Sequence, residues 1–104
     1  MEAGHSKLRL VADELMHYLL YKYSRGEVSV RTAEITDYIY KKHKDKFTSK
    51  KELQAYISRA VNRLSKYNAV VVTKEIGERG YRLSLTLTYL GTTMYNPRHA
   101  GVVK

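Results

Sequence analysis

The segment from Ser49 to Leu87 constrains the fold most, because a helix with a marked start runs straight into two strands closed by a glycine-bracketed turn. Ser49 followed by Glu52 is a capping box, in which each side chain satisfies a backbone amide at the helix start. Leu53, Ile57, Ala60, Val61 and Leu64 then recur as one apolar stripe. Asn68 stands where the chain leaves this helix through a left-handed residue, a conformation asparagine tolerates. Ala69 to Ile76 is rich in valine and reads as a strand. Tyr81 to Leu87 alternates, with Tyr81, Leu83, Leu85 and Leu87 on one side and Arg82, Ser84 and Thr86 on the other. Gly77, Glu78, Arg79 and Gly80 between them close an antiparallel hairpin.

Upstream, Ser6 is an expected N-cap for a helix reaching about Tyr23, with Leu8, Val11, Ala12, Leu15 and Leu19 on one face and Gly26 near its C-terminal end. Leu10, Met16, Leu20 and Tyr21 lie off that face. A helix apolar on several sides is covered on several sides, so these residues are expected to meet a second subunit, with the tail or the C-terminal segment of the same chain as the alternative cover. Glu27 to Val30 is compatible with a brief strand. From Thr32 a second helix follows, with Ile35, Tyr38, Ile39 and His43 inward, and it ends in the basic run Lys41, Lys42, His43, Lys44, Asp45, Lys46. Cations there suit the helix macrodipole, and they also suit phosphates. Thr88 caps a short last helix through Tyr95, with Gly91 counting against it. The expectation is a mainly helical α+β domain over residues 1–95, followed by a flexible tail over 96–104.

Charge points to the partner. Nineteen Lys and Arg against ten Asp and Glu give +9 on 104 residues, and the pI is about 9.8. Such an excess calls for a polyanion, with nucleic acid first and an anionic membrane surface second. No apolar run nears the ~20 residues that span a bilayer. Residues 1–9 lack the apolar stretch of a signal peptide, so a cytoplasmic, nucleoid- or plasmid-associated protein is expected. The absence of cysteine excludes disulfides, thiolate metal sites and cysteine nucleophiles. Ten tyrosines, three asparagines, one glutamine and no cysteine also suit an organism living hot. An enzyme is not expected: His5, His17, His43 and His99 are scattered, none at metal-ligand spacing, and no glycine-rich phosphate loop follows a strand. No cofactor or metal is expected.

The order helix, short strand, helix, helix, strand, turn, strand, helix is that of a winged helix-turn-helix domain. The stretch "ISRAVNRLSKYNAVVV" (Ile57 to Val72) resembles the recognition helix and first wing strand of winged-helix transcription regulators. "YRLSLTLTYLG" (Tyr81 to Gly91) is similar to the second wing strand and closing-helix start of MarR- and PadR-like regulators. The connection over Lys44 to Thr48 is longer than that family's tight turn, and Asn68 replaces its usual glycine. The resemblance implies a dimeric, sequence-specific double-stranded DNA-binding regulator on a palindromic site. Two rival readings stand beside it: a centromere-binding partition protein or a chromatin protein, since small basic archaeal winged helices include both, and a protein-interaction module.

The third helix has the side chains such a role needs. At 100° per residue its polar face holds Lys51, Ala55, Ser58, Arg59, Asn62 and Lys66, flanked by Gln54 and Arg63, with no carboxylate. Arg59 suits a guanine edge, Gln54 or Asn62 an adenine, and Ala55 a thymine methyl. Lys50, Lys51, Arg63 and Lys66 suit phosphates. On the hairpin, Lys74 and Arg82 lie on the arms and Arg79 at the tip, where arginine suits a narrow minor groove. Tyr18, Tyr38 and Tyr81 are expected in the core or an interface, and Tyr56 is the tyrosine best placed for a phosphate.

Overall fold

Helix α1, Glu2–Ser24, is the longest element of the computed structural model, which describes residues 2–94. The expected tail, 96–104, lies outside the described residues. Helix α1 starts before the expected cap, and Ser6 lies within it. Glu2 and Ala3 are good helix formers, which extends it by about a turn. Its end is as expected: Gly26 takes φ 87 and its N–H donates to the Tyr23 carbonyl at 3.0 Å.

After α1 come β1 (Ser29–Arg31), α2 (Thr32–Lys42), a single 3-10 turn (Lys44–Lys46), α3 (Lys50–Lys66), β2 (Val70–Gly77), β3 (Gly80–Leu87) and α4 (Tyr89–Met94). The short strand thus lies two residues later than its sequence suggests. The 3-10 turn occupies the long connection before α3. Three antiparallel strands form one sheet in the order β1-β3-β2. Leu85 of β3 is flanked by Val30 and Val72, which joins the two arms of the hairpin and the short strand on one apolar face.

The core gathers Val11, Leu15, Met16 and Leu19 of α1, Ile35 and Ile39 of α2, the full expected stripe of α3, and Val30, Val70, Leu85 and Leu87 of the sheet. Burying one such side chain contributes about 1.5–3 kcal/mol. Helix α1 touches α2, α3, β1 and β3, so its own chain covers most of its circumference. This corrects one expectation. Met16 is 0% exposed within the single chain and offers no surface to a second subunit. Leu10 and Leu20 are half-buried, and Tyr21 is 54% exposed beside Arg25. Within the described residues α2, α3 and the sheet provide intrachain cover, and the tail expected as the alternative cover lies outside them.

Helix α3 starts and stops as its residues dictate. Ser49 Oγ accepts from the Glu52 N–H at 3.1 Å, while Glu52 reaches back to the Thr48 N–H at 2.7 Å, one residue beyond the usual box. At the other end Asn68 takes φ 60, its N–H donates to the Ser65 carbonyl, and the Ala69 N–H donates to the Leu64 carbonyl. That pair of bonds is a Schellman closure, and it aims β2 directly out of α3. Thr88 then ties the far end of β3 to this junction through its N–H to the Ala69 carbonyl, and its Oγ1 accepts from the Gly91 N–H at 2.9 Å. Gly91 is required by space: a Cβ there would lie 2.2 Å from the Ala69 carbonyl oxygen.

Polar contacts lock the helices in place. Glu14 of α1 accepts from Lys42 and pairs with His43 at 2.8 Å, so His43 is held by a polar partner in its half-buried position. Tyr18 donates to Glu34, which also meets Lys22, and Tyr18 packs on Tyr38 with ring centroids 4.5 Å apart. Burial pushes the Tyr18 hydroxyl up to about 12, with the Glu34 carboxylate adding to the shift. Tyr81, expected to be covered, is 58% exposed because the hairpin outruns the helices beneath it.

Two expectations follow. Gly91→Ala should lower stability by about 1–3 kcal/mol in urea denaturation, since the neighbouring backbone has no room to give. The second concerns acid. Burial raises the Glu14 carboxyl, but hydrogen bonds from His43 and Lys42 outweigh it and leave it below the usual carboxylate range. A carboxylate depressed in the folded state stabilises above its unfolded pKa and loses that contribution as pH falls through the folded one. The urea midpoint should therefore drop as pH falls below about 4.5, and Glu14→Gln should flatten that drop while lowering stability at neutral pH.

Candidate nucleic-acid interface

Because the stripe of α3 faces α1 and the sheet, the opposite side of the helix must face solvent. Lys51, Gln54, Ala55, Ser58, Arg59, Asn62, Arg63 and Lys66 are all exposed. They divide into a crest and two flanks. Gln54, Ser58 and Asn62 line an open groove of about 690 Å³ between α3 and the hairpin. Lys51, Ala55 and Lys66 run along the crest. Arg59 and Arg63 fall on the flank away from the groove, where the Arg59 guanidinium lies 5.7 Å from the Tyr56 ring. Tyr56 is half-buried with its ring edge-on to Phe47, which makes it a fixed platform for Arg59.

Lys50 behaves differently from its neighbours. Its ammonium is ion-paired with Asp37 of α2, so a carboxylate absent from the polar face of α3 is supplied at this corner by another helix. Among the described residues, Lys51, Arg59, Arg63 and Lys66 are within ion-pairing distance of no carboxylate. The positive field of α3 thus comes from its middle and C-terminal turns more than from its first residue.

Hairpin residues are spread along the ribbon. Arg82 lies at the groove with Gln54, Ser58 and Asn62. Lys74 sits over the Tyr81 ring at 4.2 Å, and Arg79 projects at the turn, well beyond the groove. Glu78 and Arg79 keep negative φ while Gly80 takes φ 122, so the second bracketing glycine supplies the conformation that closes the ribbon. Register places Glu75 opposite Arg82, on the side of the ribbon away from Leu85.

Arg31 is a groove residue that sequence reading passed over. The signal was available in the exposed–buried–exposed alternation of Ser29, Val30 and Arg31: with Val30 committed to the core, Arg31 must project outward. Thr32 lies beside it at the start of α2, and the groove floor is formed by Ile57, Val61, Thr36 and Leu85. This arrangement is an exposed polar helix beside a basic ribbon, with Arg31 and Arg82 at the groove between them. The groove is open, and Arg31 and Arg82 lie along its rim. Among the described residues no group of three or more His, Asp and Glu is placed to hold a metal ion, and no helix is long and apolar enough to cross a membrane.

Charge placement here gives a direct expectation for any polyanion. Asp37→Asn frees the Lys50 ammonium and should raise the salt concentration needed for elution from heparin, whereas Lys51→Ala should lower it.

Comparison with known proteins leaves the surface to be read from its own geometry: no family model matches the chain, nor does any curated protein or solved structure.

Proposed function

We propose that this chain is a winged helix-turn-helix protein that binds double-stranded DNA in a sequence-specific way, acting as a homodimeric transcriptional regulator on a palindromic site. The observation that carries the reading is the exposed, carboxylate-free face of α3 lying beside a ribbon with Lys74, Arg79 and Arg82. An α-helix with side chains is about 10–12 Å across, and the major groove is about 12 Å wide. With α3 in that groove, Gln54, Ser58, Arg59 and Asn62 meet base edges while Lys51, Arg63 and Lys66 meet phosphates. Arg31 and Arg82 then lie where the backbone between the two grooves passes, and Arg79 reaches the flanking minor groove. A dimer places two copies of α3 about 34 Å apart on one side of the duplex. Leu10, Leu20 and Tyr21 remain the α1 side chains available for that contact.

A second reading, as a partition or chromatin protein that spreads along DNA, is favoured by the exposed lysines Lys41, Lys44 and Lys46 before α3, which add contacts indifferent to sequence.

Selection from a random duplex pool, followed by titration at two salt concentrations, separates the readings. The regulator gives a palindrome whose preference survives higher salt with one dimer bound. Spreading gives uniform enrichment, a steep salt dependence and growing complexes. Arg59→Ala should cost about 1–3 kcal/mol at the selected site and relax its specificity. Lys66→Ala should weaken all duplexes alike and reduce the salt slope by about one. An Arg59→Ala protein with unchanged affinity and preference would contradict the placement of α3.

A further inference from the structure

The hairpin carries an apolar patch that its basic residues do not explain. Ile76 and Tyr81 are direct cross-strand partners next to the turn, 84% and 58% exposed. They share the ribbon face of Leu83 and Leu85 by register, the face that leads back into the groove beside α3. That face carries Lys74 and no acid, while Glu75 lies on the other one. The cations nearest the patch are Lys74 over the Tyr81 ring, Arg79 at the turn and Arg82 behind it, with Glu75 on the far face and Glu78 in the turn. Lys74, on the patch's own face, is within ion-pairing distance of no carboxylate among the described residues, so a purely apolar protein partner would leave it without a counter-ion. The surface that offers anions on both sides of an apolar strip is the minor groove, with deoxyribose and base edges between two rows of phosphates.

Distances along the chain agree. From Leu85, where the core ends, to Gly80 is five residues, or about 16 Å at roughly 3.3 Å per residue. That is enough to step from a helix in the major groove over one backbone. The minor groove is about 6 Å wide, so only the last pair of the ribbon and its turn can enter.

We propose that Ile76 and Tyr81 form an apolar wedge that enters the minor groove flanking the α3 site and partly unstacks a flexible A·T step there, so that DNA deformability contributes to site choice. The inference rests on the DNA-binding reading and adds to it a second specificity element, independent of base contacts by α3. Wedges of this kind act by unstacking a step and bending the duplex, and pyrimidine–purine A·T steps yield most readily. The guanine amino group in a G·C minor groove obstructs them.

The test uses the full chain with two duplexes of about 24 base pairs, one alternating A·T and one alternating G·C, the first carrying a donor and an acceptor dye at its two ends. Fluorescence anisotropy reads binding, and acceptor emission on donor excitation reads the bend that unstacking produces. Wild type should bind the A·T duplex roughly fivefold or more tightly than the G·C duplex and raise the emission at saturation. Ile76→Ser with Tyr81→Ser should still saturate the A·T duplex, with the preference and the emission rise both lost. Ile76→Leu with Tyr81→Phe should keep both. Arg79→Ala should weaken binding yet leave the emission rise in place. Serine variants that prefer the A·T duplex and raise emission as wild type does would overturn the wedge and leave the patch to a protein partner, with the DNA reading intact. A wild-type protein that binds neither duplex at low salt, nor any duplex of the random pool, would overturn the DNA reading itself.

Discussion

The packing of α1 across the inner sides of α3 and the sheet is the contact on which the rest depends. Val11, Leu15, Met16 and Leu19 fill the space that Leu53, Ile57, Ala60 and Leu64 leave on the inner side of α3. With that stripe committed, the polar side of α3 has nowhere to go but solvent. The Lys7–Glu52 pair and the Glu14–His43–Lys42 cluster fix the rotation of α1 against its neighbours. Such half-exposed pairs contribute little energy individually, and their effect here is geometric. A small domain with a modest core gains definition from them.

A second constraint sits where α3 hands over to β2. Asn68 turns the chain, Ala69 is buried, and three elements converge on the Ala69 carbonyl and on Gly91 beside it. This junction sets the angle between α3 and the hairpin, and hence the width of the groove between them. The proposed division of labour, with base edges read from α3 and the backbone held by Arg31 and Arg82, needs that angle to be fixed.

Where a local pattern and its tertiary environment agree, the residues alone were legible. The stripe and cap of α3, the left-handed Asn68, the Thr88 cap and the glycine-bracketed ribbon all sit where the sequence places them. The departures arise where distant elements decide. Met16 looked like surface because a helical projection has one buried side, whereas four neighbouring elements wrap α1. Alternation told which side Tyr81 shares with Leu85, but not that the helices stop short of it. Gly91 reads as a poor helix residue until the Ala69 carbonyl appears beside it. Lys50 carries a free charge in the sequence and an Asp37 partner in space. The exposed polar side of α3 was legible because a helix surface follows from its period, and Arg31 was missed because its place at the groove depends on what lies across it.

The central claim is that duplex DNA lies along α3 and crosses the groove toward the hairpin. Amide chemical-shift mapping on addition of a duplex tests it most directly, since it reports the footprint residue by residue. The largest changes are expected at Lys51, Ser58, Arg59 and Asn62, with a second group at Arg31, Lys74 and Arg82, and little change along the solvent side of α1 at Asp13 and His17. A footprint centred on α1, with α3 unchanged, would contradict it.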